Sequence, residues 1–214
     1  SLRCDGPTRA WAVGLTMGKR SDFERVDKDF YPTPLPAVLP LLHHLGASVR
    51  FCEPCVGDGH LVRHLESFGH QCVASSDIER DVRLLTEADI NNADYIITNP
   101  PWDRKILHPA IIRCCSIRPT WFLFDADWMH THQAVAYLDL CAAIVSVGRV
   151  KWIENSPHTG KDNCCWYLFD ADHKGEPKFY RRKKDPAHGR VSRGSGTERT
   201  GRCAPEHNRR TNEC

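Results

Sequence analysis

The sequence has no apolar run approaching the ~20 residues that a membrane-crossing helix needs, which excludes such a span within this chain. Its first residues, SLRCDGPTRAWAVG, lack the apolar centre of a secretory signal. The chain starts at Ser1 rather than Met, so a trimmed start and initiation at Met17 both stay open. Internal repeats are absent. So is a regular cysteine framework, although there are 11 cysteines, an odd number. Cys52 and Cys55 form the one Cys-x-x-Cys, and no second closely spaced pair completes a zinc site with them. His60, His64, His108, His130 and His132 are scattered without ligand spacing. No metal is expected, therefore, and most thiols, set in apolar runs such as AIIRCCSI and DNCCWYLF, read as reduced core residues. A cytoplasmic protein follows.

What is present is an ordinary soluble composition with an uneven charge. The net charge is +2. From Lys174 to Cys214, however, 12 Lys and Arg stand against 5 Asp and Glu. A basic tail on a slightly acidic body fits a polyanionic partner or a solubilising extension, and charge alone does not separate the two. Apolar content collapses after Asp172, so 174–214 is expected to be disordered. Residues 1–21 read as a flexible arm, leaving 22–173 as the folded domain.

Within that domain short apolar strands alternate with amphipathic helices. DFYPTPLPAVLPLLHHLG predicts an extended proline-rich entry and a short helix. VRFCEP, QCVASSD, ADYIITN, PTWFLFDA, CAAIVSVG and CCWYLFDA read as strands. HLVRHLESFG, ERDVRLLTE, KILHPAIIRCCSI (broken at Pro109) and HTHQAVAYLDL read as helices. This pattern predicts an α/β fold with a mostly parallel, doubly wound sheet. The last two strands lack an intervening helix, so an antiparallel edge is expected.

Three motifs carry chemistry. Glu53-Pro-Cys55-Val-Gly57-Asp-Gly59 joins a strand to a helix, and its glycines let backbone pass close to a ligand. Alone it is weak, since many such turns contain glycine for geometry. Asp77 follows the next strand, where a carboxylate can accept from both hydroxyls of a ribose or simply cap a helix. Asn99-Pro100-Pro101-Trp102 follows the strand ADYIIT. Its prolines remove two donors, leaving the Asn99 amide oxygen and the Pro100 carbonyl to accept both hydrogens of a flat amino group while Trp102 stacks on the ring. A strand-ending turn accounts for the prolines but not for the whole tetrapeptide.

Together these residues resemble class I S-adenosylmethionine-dependent methyltransferases that act on the N6 amino group of adenine in DNA. The segment Asp29–Pro34 (DFYPTP) resembles the cofactor-binding segment that precedes the fold in many DNA adenine methyltransferases, and residues 147–170 look like the late segment of small phage- and prophage-type members. The likeness runs from about Asp22 to Asp172 and implies a seven-stranded Rossmann-like methyltransferase sheet in a bacterial or phage-infected host cytosol. It departs from the usual pattern at Cys55, where an aromatic is common, and at Trp102, where Tyr or Phe is commoner. A separate target-recognition domain is missing. The resemblance implies S-adenosylmethionine as cofactor, with Gly57 and Gly59 beside its methionine part and Glu53 near its amino group. Asp77 would hold the ribose, Ile78 would pack on its adenine and Asp89 would read that base's amino group; for Asp89 a plain surface-loop role weighs equally. Tyr31, Thr33 and Pro34 would close the pocket. DNA is the implied partner and RNA an alternative; Lys151, His158, Lys161 and the tail arginines are candidate phosphate contacts. The same pocket type also serves RNA bases and protein glutamine, and a non-catalytic subunit with a relic cofactor fold is a further alternative.

Overall fold

The computed structural model describes residues 32–77, 80–152, 160 and 162–183. The N-terminal arm, Tyr31, Ile78, His158, Lys161 and the tail beyond 183 lie outside them, and the expectations placed there are not addressed by it.

The observed fold is a doubly wound α/β sheet of seven strands. These are β1 (Arg50–Glu53), β2 (Gln71–Ser75), β3 (Tyr95–Thr98), β4 (Thr120–Asp125), β5 (Cys141–Arg149), β6 (Asn163–Phe169) and β7 (Lys178–Tyr180). Their order across the sheet is β2-β1-β3-β4-β6-β5-β7. All neighbours are parallel except the pairs that β6 makes with β4 and β5. The expected antiparallel strand therefore exists, but it is internal rather than at the edge. A hairpin returns the chain from β5 into the space beside β4, and β7 then adds to the far side of β5. β7 itself falls inside the segment whose basic composition predicted a tail.

One face carries α1 (Leu35–Leu42) and α2 (His60–Ser67), packed on Phe51, Ile97, Trp121, Val145 and Trp166. α1 starts after Pro34 with Pro36 in its first turn, where a missing N–H costs nothing. Its Ala37, Val38 and Leu41 are buried at the spacing of one helical face. The Trp166 indole donates to the Ala37 carbonyl at 2.8 Å, a bond worth about 1 kcal/mol net that ties α1 to the sheet. The other face carries α3 (Arg104–Cys115) and α4 (Val135–Leu138) over Phe122, Phe124, Tyr167 and Phe169.

Two helix expectations fail locally. α3 runs unbroken through Pro109, which is exposed on the helix. ERDVRLLTE forms no α-helix. The Asp81 carboxylate caps the Arg83 N–H at 2.9 Å, Leu85 leaves helical backbone at ψ 142°, and Thr86 and Asp89 begin a new capping box. Two single 3-10 turns, Val82–Leu84 and Glu87–Ile90, result. Local side-chain bonds here outcompete the helix.

The eight cysteines among the described residues are free thiols. Burial pushes those of Cys52, Cys141 and Cys164 up to about 12 and that of Cys165 to about 11. Thiolate is the reactive form. Native protein at pH 8 is therefore expected to leave these four unmodified by iodoacetamide, as read by peptide mass mapping. Labelling of them as fast as after denaturation would contradict the packing described.

Candidate active site

Chain order runs from β1 outward to β2 and then reverses to β3 on the other side of β1. The carboxyl ends of β1 and β3 thus flank the topological switch point, where open α/β sheets place their ligands. Cys52 lies opposite Ile96 in this parallel pair, so the segments that follow the two strands leave the sheet side by side. These segments are the glycine turn and Asn99–Trp102.

The glycine turn is held on its other flank by β2. The Ser76 N–H donates to the Glu53 carbonyl at 3.1 Å, and the Val56 N–H donates to the Ser76 carbonyl at 2.9 Å. Gly57 (φ 51°) and Gly59 (φ 79°) take left-handed backbone, and Gly59 is the residue from which α2 starts. Asp77 follows Ser76 directly. Its half-buried carboxylate makes no hydrogen bond or ion pair with the described residues, and it lies near enough to Glu53 and Cys55 to raise the pKa of both.

Glu53 is the most buried acid of the site, at 1% exposure. One carboxyl oxygen accepts from the Cys55 N–H at 2.9 Å. Burial nonetheless pushes its pKa to about 8, with the Asp77 charge adding to the shift. The Thr98 hydroxyl lies close enough to favour the charged form, yet it is outside hydrogen-bonding geometry and is buried without a partner. Among the described residues Glu53 has no cation partner and the Thr98 hydroxyl has no hydrogen-bond partner, so this buried corner carries polar capacity that the described groups leave unused. Cys55 borders it half-buried, its thiol also raised by burial.

Asn99 is the hub of the other segment. Its Nδ2 donates to Thr33 Oγ1 at 3.1 Å, and its Oδ1 accepts from Trp102 Nε1 at 3.3 Å. An indole N–H can only donate, so the atom facing it is the amide oxygen, which fixes the amide's orientation. Thr33 is buried, so the proline-rich entry segment is pinned on Asn99, and Pro34 begins α1 immediately after it. Pro100 is buried and Pro101 half-buried. Trp102 meets Trp152 edge to face, with centroids 5.8 Å apart. Trp152 was missed in the sequence because it lies in a polar loop without periodicity. Gly160 secures it: a Cβ there would sit 2.7 Å from the Val150 carbonyl and 3.2 Å from the Trp152 ring.

Glu53, Cys55, Gly57, Gly59, Asp77, Thr33 and Asn99–Trp102 are thus brought to one end of three adjacent strands. The described partners of the Asp89 carboxylate are Thr86 and Arg80, outside this group. One of its oxygens accepts from the Thr86 N–H and hydroxyl at 2.8 and 2.6 Å, and the other pairs with Arg80 at 2.6 Å. The described contacts are those of a capping residue. Two open depressions, around Asn92 to Tyr95 with Arg118 and around Asp139 with His173 to Glu176, lie at the opposite, amino-terminal end of the sheet.

No family model and no curated protein matches the chain. Among solved structures, a dimethyladenosine transferase from Plasmodium falciparum is similar at a TM-score of 0.47 and 16% identity, covering 65% of this chain and 62% of that one. A candidate RNA methyltransferase from Pyrococcus horikoshii gives 0.46 and 14%, covering 71% and 92%. The modification subunit of a type I restriction enzyme from Vibrio vulnificus gives 0.44 and 14%, covering 75% of this chain; the chain spans 49% of that subunit. At these identities and scores the likenesses say nothing of what this chain binds or modifies.

Glu53 makes stability depend on pH. Its folded pKa of about 8 exceeds the ordinary 4.5, so the folded state holds a proton that the unfolded chain releases. The contribution is full below about 4.5 and is lost as pH rises through about 8. Glu53→Gln is therefore expected to flatten the fall in melting temperature over that interval. An unchanged slope would place the proton elsewhere.

Proposed function

We propose that the chain is an S-adenosylmethionine-dependent methyltransferase acting on the N6 amino group of adenine in DNA. The observation that carries this is the convergence of the glycine turn, Asp77 and Asn99–Trp102 at the switch point of the sheet.

The residues present fit the cofactor. The buried Glu53 carboxyl and the orphaned Thr98 hydroxyl suit an ammonium group, whose charge would draw Glu53 to its ionised form. Gly57 and Gly59 bring backbone without side chains to this turn, where the Arg63 guanidinium lies over Gly59 and donates to the Asp58 carbonyl at 2.6 Å, and the Asp77 carboxylate, without a partner among the described residues, suits ribose hydroxyls. S-adenosylmethionine supplies a methyl group made electrophilic by its sulfonium, and the transfer exchanges an S–C bond for an N–C bond with loss of one amino proton to solvent.

What the chain contributes is placement and polarity. An aromatic amine is a poor nucleophile because its lone pair is delocalised into the ring. With the substrate bound, Asn99 Oδ1 and the Pro100 carbonyl would be the two acceptors that face its amino group. Two acceptors on one NH2 favour a pyramidal nitrogen and stabilise the positive charge that develops there. The diproline stiffens this corner, so little alignment is lost to motion. Trp102, with Trp152 against it, offers an aromatic surface that offsets part of the cost of taking a base out of its stack. No general base is required.

Labelled-methyl transfer to unmethylated DNA, RNA and protein in parallel tests this reading. DNA is expected to carry the label, and Asn99→Ala to lose at least about 100-fold in kcat, the scale for removing one charge-stabilising group. Label confined to RNA or protein would overturn the substrate, and undiminished transfer by Asn99→Ala would overturn the mechanism.

A further inference from the structure

The carboxyl end of the sheet carries basic side chains that the proposed transfer does not use. Arg149 ends β5, and Lys151 lies two residues on; both are exposed. One residue further the chain reaches Trp152 and hence Trp102. On the neighbouring strand Val145 lies opposite Tyr180, so the parallel course of β7 brings Arg182 to the same end. Arg182 is exposed, and its Nη1 lies 3.2 Å from where a Cβ of Gly148 would be. Gly148 (φ 87°) therefore provides the seat on which that guanidinium rests.

β7 is held there by more than its ladder. The Tyr180 ring packs on that of His44 at 4.3 Å, just past the end of α1, and the Lys178 ammonium lies 5.3 Å from the Tyr180 ring centre. The three strand-end cations also differ from the other arginines in their pairing. Arg80, Arg83 and Arg118 elsewhere pair with Asp89, Asp81 and Glu87. Arg149, Lys151 and Arg182 have no such partner among the described residues. Charges on an edge strand often serve only to prevent strand addition. That explanation does not cover Lys151, which lies beyond the end of β5, or Arg182, whose guanidinium lies over Gly148 of β5.

Resting on the nucleic-acid reading above, we propose that Arg149, Lys151 and Arg182 form a phosphate track that takes the substrate backbone beside the Trp102–Trp152 aromatic pair. The track holds the polyanion in place without reading its sequence. Each phosphate contact releases condensed counterions, so affinity falls with salt by a slope of about 0.9 per contact on duplex DNA.

The test uses the full chain and a labelled duplex oligonucleotide, with fluorescence anisotropy recorded over a salt series. The triple variant Arg149→Gln, Lys151→Gln, Arg182→Gln is expected to flatten the slope of log affinity against log salt by about 2–3. Lys174→Gln, at the opposite end of the sheet, is expected to leave it unchanged. S-adenosylmethionine binding, followed by calorimetry, should be the same in all three proteins. If the triple variant loses cofactor binding, the single variants decide, each expected to flatten the slope by about 0.9. A wild-type slope in variants that still bind cofactor would overturn the track while leaving the methyltransferase reading intact. A wild-type chain that binds S-adenosylmethionine but no duplex, single-stranded DNA or RNA at any salt would overturn the nucleic-acid reading, and the track with it.

Discussion

Asn99 ends a strand whose Ile96, Ile97 and Thr98 are wholly buried, and a primary amide in that position must be hydrogen-bonded or bear the cost of lost hydration. Two of its hydrogen bonds come from different directions. The Thr33 hydroxyl comes from a segment sixty-six residues earlier, and the Trp102 indole comes from its own turn. That pair of bonds fixes which way the amide points, where the chain enters α1, and where the first aromatic wall stands. Trp152 then packs against Trp102, and Gly160 closes the loop behind it. The arrangement of this end of the sheet is therefore set from one polar side chain outward, and the proposed chemistry uses the same oxygen that organises it.

The neighbouring recess shows the opposite economy. Glu53 is buried without a cation and the Thr98 hydroxyl without a hydrogen-bond partner among the described residues, a state that costs stability in the free protein. Such a deficit is tolerable where a ligand supplies the missing groups. The apolar layers beneath compensate for it. Phe122, Phe124, Tyr167 and Phe169 on one side and Trp121 and Trp166 on the other are buried against the sheet and supply apolar burial that offsets such a cost.

Much of this was legible in the residues. Apolar runs bounded by turn residues located six of the seven strands, because strands covered on both faces need little else. The glycine turn, Asp77 and the Asn-Pro-Pro-Trp corner could be picked out because few backbones require such residues. Three features could not be read. β7 is a three-residue edge strand within a basic run, and its pairing depends on Tyr180 finding His44, a contact with no local signature. The internal position of β6 follows from where a hairpin folds back, which periodicity does not encode. The stretch after Asp77 has helical spacing, but Asp81 and Thr86 offer the backbone competing bonds. Asp89 shows a similar ambiguity at a site: TEADI suits a ligand-reading acid and a plain surface-loop acid equally, and the described contacts are those of a capping box that neither reading named.

The account turns on whether one ligand spans the glycine turn and the diproline corner. A crystal structure with an analogue of S-adenosylmethionine, in which an amine replaces the sulfonium methyl, measures this directly. The nucleoside is expected along Gly57–Gly59 with its ribose on Asp77, its amino-acid ammonium beside Glu53, and the replacing amine directed at Asn99 and Trp102. An analogue bound at the opposite end of the strands, or bound with that amine pointing away from Asn99, would contradict it.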